Sequence, residues 1–136
     1  QSLGNGTEQT LLHTLNGTHT LLIKKGHHDV ISHLDDVSKK LTATCTEQGG
    51  LKRSGGIGDI LAGSVGTFLA WNRILHSKDT YSQEQQKEDL LMACWTSCCV
   101  TKRATRLAFD KKKRSMTAPD ILEYVGIAMD QITAPN

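Results

Sequence analysis

The sequence predicts an α/β layered fold of few strands followed by three helices, and three observations carry that expectation. Short β-rich runs crowd into residues 18–46, longer runs with helical apolar spacing fill residues 59–132, and the first strand alone is mostly apolar. With so few strands, three helices have too little sheet to cover. Residues 1–136 therefore read as the C-terminal part of one larger domain whose remaining strands are not in the chain.

The elements follow in order. "EQTLLHTLNG" carries apolar residues at 11, 12 and 15 and ends on Gly17, where a helix would be capped. "THTLLIKKG", "DVISHL" and "TATCT" read as two or three neighbouring strands, broken at Gly26 and at the polar segment 35–40; the first, being mostly apolar, is expected at the centre of the sheet. From Asp59 to His76 the chain is apolar nearly all round, which predicts a buried helix. "KDTYSQEQQKED" reads as a polar connector before a second long helix with Leu91, Cys94, Trp95, Cys98, Leu107 and Ala108 at helical spacing. In "MTAPDILEYVGIAMDQI", Thr117 is placed to cap, Pro119 suits the first turn, and Asp120 stands three residues beyond the cap. Ile121, Val125, Ala128, Met129 and Ile132 then share one face of a third helix.

Bulk numbers narrow the function classes. Of 136 residues 38% are hydrophobic, enough for one packed domain and short for two. Sixteen basic against 14 acidic residues leave a formal charge of +2, so no strong field favours nucleic acid or an anionic membrane. No apolar run approaches the roughly 20 residues of a bilayer span, and "QSLGNGTEQT" lacks the profile of a signal peptide. Without an initiator Met, a targeting segment could still lie upstream. Cys45, Cys94, Cys98 and Cys99 have neither zinc-site spacing nor the density of a disulfide scaffold, which points to an intracellular setting.

The chemistry concentrates at "RSGGIGDILAGSVG", residues 53–66. A helix start offers unpaired N–H groups and partial positive charge to an anion, and Gly55, Gly56 and Gly58 let a phosphate approach the backbone. Asp59 then has two readings that spacing leaves open. It is a helix cap, or a general base aimed at a hydroxyl beside a phosphate. No Lys-Ser or Lys-Thr pair follows the glycines, so this is no P-loop, and no strand–GxGxxG–helix unit makes it a dinucleotide fingerprint.

"GGIGDILAGSVG" at 55–66 resembles the anion-hole motif of the ribokinase-like superfamily. With "KGHHDVIS" at 25–32, "TCTEQGGLKRSGG" at 44–56 and "SMTAPDILEYVG" at 115–126, the chain more narrowly resembles the NAD(P)HX dehydratases, which return hydrated NADH or NADPH to the usable cofactor. The likeness runs from about residue 10 to about residue 132. It implies a ribokinase-like three-layer α/β/α domain of about twice this length, of which the N-terminal half is absent, so activity of the chain by itself is not implied. It also implies nucleotide contacts from Lys25, Gly26, His27, His28 and Asp29 and from Gly49, Gly50, Leu51, Lys52, Arg53, Ser54, Gly55, Gly56, Ile57 and Gly58. Asp59 is the implied catalytic and substrate-contacting acid.

The implied reaction phosphorylates the hydroxyl of NADHX or NADPHX with ATP (ADP in bacterial relatives), Mg²⁺ screening the phosphates, and then eliminates phosphate. The implied partners are small molecules, not nucleic acid or membrane. Bacterial relatives form tetramers, which makes a homo-oligomer an implied assembly, and the implied compartment is cytoplasmic or mitochondrial. Two other readings stand beside it: a kinase of the same superfamily acting on a vitamin or sugar hydroxyl, and a non-catalytic fragment or binding module.

Other features read as structural. His27 and His28 sit in a turn facing solvent or nucleotide rather than a metal. Cys94 and Cys98 read as small core residues, and Trp71 and Trp95 as core aromatics. "KKKR" at 111–114 reads as a solvated loop between two helices.

Overall fold

The computed structural model describes residues 10, 11, 13, 14, 20–33, 41–76 and 82–134. Residues 10, 11, 13 and 14 are helical, while Leu12, Leu15 and Gly17 of the first predicted helix lie outside the described residues. Three strands, β1 (Leu21–Lys24), β2 (Asp29–His33) and β3 (Leu41–Cys45), form an antiparallel sheet in the order β1-β2-β3. Three helices follow, α1 (Ile57–Leu75), α2 (Gln83–Lys112) and α3 (Ala118–Thr133), with a 3₁₀ turn at Lys113–Ser115 before α3. The expected class, few strands and then three helices, is what forms.

Register explains which strand face is covered. Ile23 stands opposite Ile31, Ile31 opposite Ala43, and Asp29 opposite Cys45, so one side of the sheet carries Leu21, Ile23, Ile31, Ala43 and Cys45. That side packs on Leu91, Cys94, Cys98 and Cys99 of α2. The centre of the sheet is β2, not β1 as its apolar sequence suggested. Among the described residues β1 pairs on one side only, and β2 is the strand with Asp29, Ile31, Ser32 and His33 buried.

Helix α2 is the hub, touching β2, β3, α1 and α3. Its stretch Cys94–Ala108 is rich in Ala, Ser, Thr and Cys, and these small side chains let the neighbouring helices approach closely. Val100, Ala104 and Ala108 meet Ile121 and Ala128 of α3 and the buried Met116 in a second core cluster. The helix starts earlier than expected: residues 83–89, read as connector, form its first turns. Ser82 accepts from the N–H of Gln85 at 3.2 Å, and Gln85 Oε1 accepts the N–H of Ser82 at 3.4 Å, a reciprocal cap that outweighs the polar composition.

Helix α1 departs most from expectation. Leu61 alone is buried along it, and Trp71 is 44% exposed, Ile74 67% and Leu75 71%. Trp71 is thus no core residue, although its ring does meet Phe68 edge-on at 5.5 Å. Trp95 is half-buried, with Nε1 donating to Thr44 O at 3.0 Å. Residues 111–114 are exposed as expected, but Lys111 and Lys112 are still helical and Lys113 turns the chain with φ of 52°. Thr117 caps α3 as predicted; the Asp120 carboxylate accepts from its N–H and its hydroxyl, both at 2.8 Å.

Candidate functional site

The β1–β2 turn is built by its own acid. Asp29, 3% exposed at the start of β2, accepts the Gly26 N–H on Oδ1 at 2.8 Å and stands 3.6 Å from Lys102 Nζ through Oδ2. Its carboxylate is spent on holding the turn. Lys25, His27 and His28 are left exposed along the rim, the two imidazoles edge-to-face at 4.6 Å.

From Cys45 the chain crosses the C-terminal half of α2. Gly50 donates to Thr105 Oγ1 at 3.0 Å, and a Cβ on Gly50 would lie 2.5 Å from Thr105 O and 2.9 Å from Phe109 Cβ. Only glycine lets the loop lie this close to the helix. Arg103 clamps the same loop, Nε and Nη2 donating to the two Glu47 oxygens at 2.7 and 3.0 Å. That bidentate pair raises the Arg103 pKa further above its ordinary value. Beside it, Arg106 Nη1 donates to Gln48 Oε1 at 3.3 Å, and Lys52 Nζ donates to Met116 O at 2.6 Å.

The turn and the loop face each other across a cleft of about 520 Å³. Of the fifteen sequence-predicted nucleotide residues, Lys25–Asp29, Gly49–Arg53 and Ile57 line it. Ser54, Gly55, Gly56 and Gly58 do not. Sequence reasoning missed the third wall, which is Thr101, Lys102, Thr105 and Arg106 of α2 together with Thr46–Gln48. The basic pair at 102 and 106, one helical turn apart, was the available signal.

The cleft's cations are Lys25, Lys52, Arg53, Lys102 and Arg106, against Asp29 and Glu47, each of which already faces a cation. The excess positive charge suits a polyanion. Cys98 at its floor stays a neutral thiol, burial pushing its pKa up to about 12. Behind it the Cys45 and Cys99 sulfurs are hydrogen-bonded at 3.3 Å, which lowers the Cys45 pKa and raises that of Cys99.

Gly56 ends the loop with φ of 91° and is itself the N-cap of α1, so the helix start needs a glycine; an added Cβ would also lie 2.8 Å from Ala118 Cβ. Gly56 O accepts from the N–H groups of Asp59 and Ile60, both at 3.1 Å, which leaves those of Ile57 and Gly58, among the described residues, as orphan donors of the first turn. The Asp59 side chain does not cap. It is exposed, and it borders a different space, an apolar groove of about 750 Å³ between α1 and α3 lined by Phe68, Trp71, Leu122 and Val125 among others. The glycine turn therefore stands between a cationic cleft and an apolar groove, with its amides at the boundary and the carboxylate on the groove side. Among the described residues no three His, Cys, Asp or Glu side chains gather as metal ligands.

A family model described as NAD(P)H-hydrate dehydratase matches residues 5–126. Curated proteins named ATP-dependent (S)-NAD(P)H-hydrate dehydratase are similar to the chain. That of Pediculus humanus subsp. corporis is 38% identical over 109 residues, 76% of this chain and 35% of the relative. That of Schizosaccharomyces pombe is 38% identical over 114 residues, 82% of this chain and 33% of the relative. The protein of Rattus norvegicus is 32% identical over 111 residues, 82% and 30% respectively. The chain spans about a third of the length of these relatives. With nine-tenths of its length under one family model, and relatives 38% identical over more than three-quarters of it, the chain belongs to the NAD(P)H-hydrate dehydratase family.

Proposed function

We propose that this chain supplies the nucleotide cleft and the catalytic carboxylate of an ATP-dependent dehydratase acting on (S)-NADHX and (S)-NADPHX. The observation that carries the reading is the glycine turn standing between the cationic cleft and the Asp59 groove. Triphosphate oxygens meet the Lys25, Arg53 and Arg106 charges, and the terminal phosphoryl group reaches the free N–H groups of Ile57 and Gly58 at the α1 start. The hydrated ring lies in the groove, its hydroxyl toward Asp59.

Asp59 takes the hydroxyl proton as the ring oxygen bonds to phosphorus and ADP leaves. The carbon–oxygen bond of the phosphate ester then breaks, phosphate departs, and loss of a proton from the neighbouring carbon restores the ring double bond. The amides stabilise charge on the transferring group in both steps. The described residues offer no three-ligand cation site, so magnesium would arrive on the nucleotide and none of these roles runs through it.

The test uses the full-length protein with ATP and NADHX, following NADH absorbance and ADP together. One NADH for each ADP supports the dehydratase. ADP formation on a vitamin or sugar alcohol, with no NADH from the hydrate, replaces it by a kinase of the same superfamily. A properly folded full-length protein that turns over neither substrate leaves the non-catalytic reading.

A further inference from the structure

Lys102 lies on the missed third wall, and it touches both of the others. Its Nζ donates to His27 O at 2.6 Å and to Gly26 O at 3.4 Å, and stands 3.6 Å from Asp29 Oδ2. Two N–H bonds of the ammonium go to carbonyls and its charge is paired with the Asp29 carboxylate, so this cation is already committed to the turn. Its side chain is only 14% exposed. The stem serves the other wall: a Cβ on Gly49 would lie 3.8 Å from Lys102 Cγ, and Lys102 O accepts from the Thr105 hydroxyl that in turn receives the Gly50 N–H.

Residues 26–29 and 49–50 have no direct tie to each other among the hydrogen bonds above; each is tied to α2. We propose that Lys102 is a positioning residue that sets the spacing of the two nucleotide-binding walls, acting through the Gly26–Asp29 turn on one side and the Gly49–Gly50 backbone on the other. The inference rests on the nucleotide reading of the cleft. Removing the ammonium while keeping the stem frees the turn carbonyls and leaves Asp29 a buried carboxylate with its cation gone. The turn then no longer presents Lys25 at one distance from the glycine loop.

The experiment compares wild type, Lys102→Met and Lys102→Arg in the full-length protein, measuring ATP affinity by calorimetry and KM against kcat in the NADH assay. Expected is an ATP Kd and KM raised about tenfold in Lys102→Met, the size of one charge-assisted hydrogen bond, with kcat within about threefold and most of the loss recovered in Lys102→Arg. An unchanged Kd in folded Lys102→Met, beside a wild type that binds ATP, overturns the role of Lys102 alone. A wild type that binds no nucleotide overturns the reading of the cleft itself. Should Lys102→Met fail to fold, Asp29→Asn breaks the same pair from the turn side, and normal ATP affinity there is equally fatal to the proposal.

Discussion

At the scale of single residues, two positions do work that their neighbours cannot share. Asp59 is exposed, three residues beyond the Gly56 cap of its helix, and its carboxylate makes no hydrogen bond among the described residues. As the proton acceptor of the proposed first step, it predicts that Asp59→Asn lowers kcat by about two to four orders of magnitude with the thermal midpoint unchanged. Near-normal turnover would return the acid to a helix-dipole role. Gly50 is the opposite case, a residue defined by what it lacks. With Thr105 O only 2.5 Å from an added Cβ, Gly50→Ala must push the loop off the helix. The expected cost is about 1–3 kcal/mol in denaturant unfolding, with weaker ATP binding, and a variant as stable as wild type would show that the loop does not lie on α2. The glycines and Asp59 were legible in the sequence because a turn and a helix start are local. Lys102 and Arg106 were not, since nothing in residues 44–56 reports which helix face will lie beneath them.

At the scale of elements, helix ends were easier to read than helix surroundings. The Thr117–Asp120 start of α3 was visible four residues at a time, and it titrates. Hydrogen bonds from the Thr117 hydroxyl and N–H, with Lys112 adding to them, hold the Asp120 carboxyl below its ordinary value of 3.8. A depressed carboxyl stabilises the fold above its unfolded value and loses that contribution as the pH falls through its folded one. Asp120→Asn should therefore lower the thermal midpoint at pH 7 and match wild type at a pH below the carboxyl's folded value. An equal deficit at both values would mean that packing, not charge, is lost. The Ser82–Gln85 cap was just as local, yet the glutamine-rich stretch after it hid the first turns of α2 behind a polar composition. Strand order was hidden for another reason. An apolar strand reads as central, but which strand is flanked on both sides depends on pairing between residues far apart in sequence, and here β2 takes the middle with Ile31 fully buried.

At the scale of the molecule, the same gap between composition and surroundings makes a prediction about association. Apolar periodicity says that a face wants cover and cannot say whether the covering surface is in the chain. Around α1 and α3, Trp71, Ile74, Leu75, Leu122 and Ile127 remain 44–71% exposed among the described residues, and β1 and β3 each pair with β2 alone. Apolar patches of this kind and open strand edges are the usual routes to self-association. The 136-residue chain by itself should thus sediment well above 14.9 kDa as its concentration rises, with the weight-average mass falling on dilution. Trp71→Gln with Leu122→Gln, which makes the groove polar at two of its exposed lining residues, should return most of it to monomer without changing the helical circular dichroism. If the double variant associates as strongly as the parent, the contact runs along the strand edges, and Thr42→Lys, at an exposed position of β3 on the face turned away from α2, becomes the discriminating change. A parent that stays monomeric throughout would mean that the groove closes on itself in solution, carrying Asp59 out of reach of any ring.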